Sequence, residues 1–475
     1  MQKNFEKTRH FVIKEKDKLV IVVPLFIIAF LSGLYALFPV SITNDPAIHS
    51  EIVNVIRHQG YPLSWEPYAA NDFTYPPLFH LISFLVSMLG ISTIDAVRIV
   101  GIVTWSLFPL CVYLLGSFYG RKVAIISSVT SISLPFLSNV FIFGEFPQLL
   151  SMELLVLEIY FMKKGKYLYG GIMTGLVFLT HPFMPVISFL IYLYFVVPEC
   201  ARKWKKAYLL AIPFIVSFAW LTKYFQIFFN MYSGNWQNIV YNEYQPVFWF
   251  WPPETLVKYL FGTNYFTPII IALSILGAYK TKDMFMRIFF LAALVFSIYH
   301  IPYTQLKVFD TLAIPSIFLS SAGIVEISKQ TKKYGIAVLI IFIATMSCFQ
   351  VYHFVYAKNM WFDSSIAPEP ALLNTMLWLG EHDRSEAKIY VDSASAWAGA
   401  LSGKIPLEPE ITYLESFSES YVKQIKLNKR IKESLSDNGD VTNLARGAGI
   451  KYIITKQTTN LKELKSFSGW FVYET

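Results

Sequence analysis

Two carboxylates, Asp45 and Glu145, stand where apolar segments end, and a carboxylate in such a position can take a proton from a hydroxyl. Asp45 lies in Ser-Ile-Thr-Asn-Asp45-Pro-Ala-Ile-His49-Ser-Glu51, just past the first apolar run. Pro46 can open a helix there, so Asp45 reads either as a general base or as the cap of that helix. Residues 46–59 carry Ile48, Ile52, Val55 and Ile56 at helical spacing, which predicts a helix lying on the membrane surface with Arg57 and His58 at its polar end. Glu145 stands alone in Phe143-Gly144-Glu145-Phe146-Pro147-Gln148. At a membrane boundary it is costly unless solvated or paired. It has no basic neighbour in sequence, so a partner would come from another loop: a His, Lys307, a metal ion or a cationic substrate group. The alternative is a plain exposed loop carboxylate.

Further polar residues share these connections. Asp72 precedes Tyr75-Pro76-Pro77-Leu78, whose two prolines stiffen the approach to the bilayer, and His80 follows. His80 reads first as an interfacial histidine with its hydrogen bonds met. Thr180-His181-Pro182 predicts a tight turn, with His181 either facing a substrate or in water. His300 and Lys307 bracket a last short connection, and Lys223 lies near the end of its helix. Lys223, Lys307 and Arg57 suit a phosphate at headgroup level, or else are cations reaching for the interface.

The elements that must position these residues are membrane helices. Of 475 residues, 55% are hydrophobic and 15% charged. Apolar runs of roughly 17–25 residues recur, each long enough to cross a bilayer. Leu19 to Val40 is too long for a signal-peptide core and reads as a retained anchor. The net charge of +8 is read as a positive-inside signal and not as a nucleic-acid footprint. Cys111, Cys200 and Cys348 are scattered and give neither metal spacing nor a disulfide framework.

Basic residues crowd into the N-terminal stretch, Arg121-Lys122, Lys163-Lys164-Lys166, Arg202 to Lys206, Lys280-Lys282 and Lys329 to Lys333. The intervening connections, 41–75, 142–147, 227–262 and 300–307, are nearly free of them. This alternation predicts about eleven spans, near 19–40, 95–118, 123–141, 146–162, 167–181, 183–198, 207–226, 263–279, 284–300, 308–326 and 334–355. The N-terminus is then cytoplasmic, in a multi-pass cell-membrane protein. The segment 76–90 is short for a span and reads as interfacial or re-entrant, leading into the helix near 95. Residues 1–355 make the membrane domain, with its first outer loop at 41–75. Residues 356–475 make a small extracytoplasmic α/β domain, with strands at 388–392 and 451–455, a helix near 418–436, and Asp440 capping a short helix that ends at Gly447 or Gly449. The aromatic connection 227–262 suits either an interface belt or sugar faces.

The pattern resembles the GT-C superfamily of integral-membrane glycosyltransferases. The resemblance rests on Asn44-Asp45 after the first helix, the long first loop ending in Tyr75-Pro76-Pro77-Leu78, Glu145 in the second loop, the many-helix body and the outer C-terminal domain. In layout it is similar to oligosaccharyltransferase catalytic subunits, protein O-mannosyltransferases and aminoarabinose transferases, and looks closest to archaeal-like members. The resemblance implies a donor sugar carried on a polyprenyl phosphate such as dolichol phosphate, with Asp45 as the first-loop catalytic acid. Glu145 falls where the oligosaccharyltransferase group has Asp-x-Glu, but Phe143 replaces the first acid. A divalent ion (Mg or Mn) on Asp45 and Glu145 is therefore an open expectation. No Trp-Trp-Asp motif occurs in the tail, which argues against transfer to protein Asn. The expected chemistry is a single displacement with Asp45 as base and Glu145 orienting the acceptor or holding the ion. Lys307, with Lys223 or Arg57, would steady the phosphate, and His49, Asp72, His80, His181 and His300 would line the substrate. The sugar and acceptor stay open. The competing classes are a transporter or flippase of a lipid-linked sugar, and an assembly scaffold.

Overall fold

The computed structural model describes residues 23–37, 45–60, 75–221, 266–298, 304–360, 368–407, 419–436 and 441–475. The first helix, α1 (Val23–Leu37), is followed by α2 (Asp45–Gln59) and α3 (Leu78–Ser87). The bundle continues with α4 (Thr93–Gly116), α5 (Arg121–Ser133), α6 (Pro135–Ile142), α7 (Phe146–Lys163), α8 (Tyr167–Phe178), α9 (Met184–Arg202) and α10 (Ile212–Val216). Beyond the next described break come α11 (Phe266–Lys280), α12 (Met284–Ile298), α13 (Thr304–Gln330) and α14 (Gly335–Met360).

Local chemistry explains where these helices begin and end. Ser92 caps α4 by accepting the Asp95 N–H at 3.2 Å, while its hydroxyl donates to the Asp95 carboxylate at 2.7 Å. This is a reciprocal capping pair. The span expected at 123–141 is broken in two. Leu134 is extended (φ −78°, ψ 121°) because the residue before a proline disfavours helical geometry, and Pro135 opens α6. Helices α11 and α13 meet backbone to backbone, since Gly277 and Gly323 leave no side chain between them.

The bundle has two distinct ends, and α4 joins them. Near its start, the Arg98 guanidinium lies 5.4 Å over the Trp397 ring of the C-terminal domain. Just past its end, the Tyr119 hydroxyl donates to Asp283, which also takes an ion pair from Lys163. At that same end, Glu326 of α13 pairs with Lys280 of α11 and with Lys329, each at 3.7 Å. Among the described residues, the basic clusters thus gather at the end opposite the C-terminal domain. Helix α3 has ten residues and is one of the shorter apolar helices. Its first residue, Leu78, donates its N–H to the Leu179 carbonyl at 2.8 Å. Soon after its last, α4 begins at Thr93, whose hydroxyl bonds Ser50 of α2 at 2.8 Å. Among the described residues, three helices are long and apolar enough to cross a membrane: Thr93–Tyr119, Met184–Arg202 and Thr311–Gln330. Shorter apolar helices accompany them, so the expected count of eleven is not established.

The C-terminal domain contains α15 (Pro370–His382), β1 (Lys388–Val391), α16 (Ser395–Ser402) and β2 (Ile405–Pro406), then α17 (Glu419–Ser436), α18 (Thr442–Gly447), β3 (Ile450–Thr455), β4 (Lys462–Phe467) and β5 (Trp470–Glu474). The sheet order is β2-β1-β3-β5-β4, parallel across β2, β1 and β3 and antiparallel beyond. One sheet face packs under α15 and α16 against the membrane domain, and the other carries α17 and α18. Lys404 is fully buried and satisfied, its ammonium donating to the carbonyls of Asp383 and Ser385. Val441 rather than Asp440 holds the N-cap of α18, and Asp440 lies outside the described residues.

Candidate active site

Helix α2 is the keystone of the site, and it is not the surface-lying helix that its apolar stripe predicts. The stripe of Ile52, Val55 and Ile56 packs on Tyr75 and Trp220. Its other side is covered as well, because Ala47 joins the core that holds Trp397 and Ala398 of α16. A one-sided stripe becomes a two-sided contact because a domain encoded more than three hundred residues later closes over it.

Asp45 is the first residue of α2, and Glu145 is the residue before α7. The two helix starts are held in contact at Pro46 and Gly144. A Cβ on Gly144 would strike Pro46 Cδ, and Gly144 has φ +82°, a geometry that only glycine adopts without strain. Tyr75 completes the arrangement. Its phenol is buried and senses the charges of both Asp45 and Glu145. Burial first, and then those two carboxylates, push the Tyr75 hydroxyl well above its ordinary range, so it stays an O–H donor at any physiological pH.

A histidine pair lies behind this group. His49 follows Asp45 by four residues, on the same face of α2. Its Nδ1 meets His80 Nε2 of α3 at 3.1 Å, so the two buried rings share one hydrogen bond. The Tyr75 ring meets His80 edge-on, with centroids 5.3 Å apart. Burial first, then the neighbouring His49, lower the His80 pKa well below the ordinary imidazole value, against the opposing pull of the Pro76 carbonyl. The His80 ring is therefore neutral near pH 7. His181 is also buried, and its Nδ1 accepts the Phe183 N–H at 3.2 Å.

No family model matches the chain, and no curated protein matches it. Among solved structures, ArnT from Cupriavidus metallidurans bound to undecaprenyl phosphate superposes with a TM-score of 0.61 at 10% identity, covering 96% of this chain and 98% of that one. The apo state of the same protein gives 0.59 at 11% identity, over 97% and 98%. This chain has the same fold as ArnT. The Archaeoglobus fulgidus oligosaccharyltransferase in complex with zinc and sulfate aligns at a TM-score of 0.47 with 13% identity, over 90% of this chain and 67% of that one.

Within that fold, Asp45, His49, His80 and Glu145 come together with Tyr75. His181 sits at the same end, two residues after Leu179, which bonds the start of α3. Arg57 does not join them. It is exposed on the last turn of α2, twelve residues and so about 18 Å along the helix from Asp45. Asp72, Lys223 and His300 lie outside the described residues, and Lys307 falls on the first turn of α13. Among the described residues, no group of three or more His, Cys, Asp and Glu gathers that could hold a metal.

Several buried polar residues were not singled out in sequence. Tyr75 was read as part of a proline-stiffened entry, although its place beside an acid-bearing loop was a usable signal. Glu153 and Glu158 are buried inside α7, Glu153 accepting from Cys111 Sγ at 3.3 Å and Glu158 from the Ser188 hydroxyl. Their apolar flanks hid them. Glu51 of α2 is fully buried, with Oε1 2.8 Å from where a Cβ on Gly399 would stand.

Proposed function

We propose that this protein is a glycosyltransferase that moves a sugar from a polyprenyl-phosphate-linked donor to an acceptor hydroxyl at the extracytoplasmic face of the membrane. The observation that carries the reading is the buried Tyr75 phenol in the field of both Asp45 and Glu145, at the end of the bundle that the C-terminal domain covers. Two acids a hundred residues apart in sequence thus both act on one buried phenol. The undecaprenyl phosphate in the ArnT structure supports a polyprenyl phosphate as the lipid partner.

Asp45 takes the proton of the acceptor hydroxyl as its oxygen attacks the anomeric carbon. The bond from that carbon to the phosphate oxygen breaks, and the polyprenyl phosphate leaves with the electron pair. A phosphate leaves without prior protonation, so no second acid is needed, in contrast to glycoside hydrolysis. Tyr75 keeps its proton in the field of both carboxylates and so adds no third negative charge beside them. Lys307, at the N-terminal turn of α13, is the first choice to meet the departing phosphate, with Lys223 or Arg57 as the second cation. His49 and His80 hold α2 against α3 and keep Asp45 in register.

A divalent cation is compatible with this donor set. Asp45 and Glu145 offer hard oxygen ligands, and magnesium commonly takes one or two carboxylates together with substrate phosphate. Bound there, Mg or Mn would offset the charge of the two acids and of the leaving phosphate. The fold does not favour a transporter or flippase, since its ArnT counterpart is covered end to end.

The test is Asp45→Asn in proteoliposomes supplied with polyprenyl-phosphate sugars, reading release of free polyprenyl phosphate. The expected loss is about 10²–10⁴-fold, the range of a removed general base. Turnover at the native rate would show that Asp45 is not the base.

A further inference from the structure

Helix α2 carries Asp45, and the C-terminal domain touches it along its whole length. At its start, Ala47 shares a core with Trp397 and Ala398. One turn on, Glu51 lies against Gly399. In its second half, Ile52, Val55 and Ile56 take Ile405, the first residue of β2. At its end, His58 Nε2 meets Glu386, just before β1, at 3.0 Å. The order of these contacts puts α16 alongside α2 in the same direction, so the start of α16 stands over the start of α2.

We infer that Gly399 is a positioning residue, and that the C-terminal domain sets the reach of Asp45 by clamping α2 against the membrane bundle. The inference rests on the transferase reading and deepens it. Gly399 is the tightest point of the clamp. A methyl there would meet Glu51 Oε1 at 2.8 Å, with Pro406 Cδ at 3.3 Å and the Lys404 carbonyl at 3.4 Å behind it. Glu51 is fully buried and cannot swing into solvent. The proline and the carbonyl hold α16 from the other side. The added volume is therefore relieved by moving α2 outward, and Asp45 moves with it. A displacement of about 1 Å of a reacting group can cost roughly 10²-fold in rate.

The experiment uses the full chain in nanodiscs and compares wild type, Gly399→Ala, and Gly399→Ala combined with Glu51→Asp. Two readouts run together: transfer from a polyprenyl-phosphate sugar, separated into kcat and KM, and amide hydrogen exchange of the 45–59 peptide. For Gly399→Ala the expected result is a tenfold to hundredfold fall in kcat with KM unchanged, and faster exchange in 45–59. Glu51→Asp shortens the side chain by one methylene and should restore both readouts, which a general loss of packing would not allow. If Gly399→Ala does not fold, Glu386→Ala replaces it. That change is on an exposed residue and should speed exchange at the 55–59 end of α2. Wild-type kcat in Gly399→Ala, a loss carried by KM, or a loss that Glu51→Asp leaves in place would each overturn the inference. A wild-type protein without transfer activity would sink the transferase reading alone. Exchange would then decide the clamp, with unchanged protection of 45–59 counting against it.

Discussion

The His49–His80 pair links the chemistry of the site to pH. Each ring is buried, and each lies against the other, so a proton added to either puts a charge where water cannot reach it. The folded pKa of His80 lies below its unfolded value of about 6.5. Below about pH 6.5 the unfolded chain binds the proton and the folded one does not. The stability contribution is therefore full above that pH and is lost as pH falls, by up to about 1.4 kcal/mol per pH unit. Hydrogen exchange of the 45–59 and 78–87 peptides should accelerate from pH 7.5 to pH 5.5. His80→Phe fills the same space without a titrating group and should flatten that slope. An equally steep slope in His80→Phe would mean that another group carries the response. In the sequence both histidines were visible as candidates, but not as a pair. They are 31 residues apart and on different helices, and nothing in local periodicity reports a contact across a loop.

At the scale of elements, Gly144 decides whether two helix starts can share one site. Its φ of +82° is open to glycine and strained for alanine, and the added methyl would also strike Pro46. Gly144→Ala should cost about 1–3 kcal/mol of stability from backbone strain alone. It should also part Asp45 from Glu145, so transfer should fall more than thermal stability does. A melting curve alongside the transfer assay checks both, and a variant with native melting and native transfer would show that the two helix starts need not touch. The helices themselves were legible because apolar runs report burial in lipid. The break at Leu134–Pro135 was also written in the sequence, but the apolar run across it read as one span. By contrast α16 is built mostly of small residues and β4 mostly of charged and polar ones, while α15 and β5 are apolar but short, and none of the four showed a clear period. Their places are fixed by partners on other elements. Trp470 in β5 and Leu372 in α15, for instance, meet only in the folded core.

The whole molecule is organised by charge, and that is where orientation can be tested. Arg98 on Trp397 marks one end of α4, and Lys163 with Tyr119 on Asp283 marks the other. The basic clusters were readable in sequence as one side of a membrane because each falls between two apolar runs. That they meet at one end of a folded bundle follows from the packing. The positive-inside rule predicts that the Lys163 end faces the cytosol and that the C-terminal domain lies outside. In a variant with Cys111, Cys200 and Cys348 replaced by serine, single cysteines can be placed at the exposed Lys164, Lys333 and Lys429. An impermeant maleimide added to intact cells should label the cysteine at 429 on α17 and spare those at 164 and 333 until the membrane is opened. The reverse pattern would put Asp45 and Glu145 on the cytosolic side. The carboxylate pair and its tyrosine would stand unchanged, but the donor would then have to be presented from the cytosolic leaflet. The contacts of α2 with the C-terminal domain make this one experiment decisive for both. Wherever the domain lies, the acids lie with it.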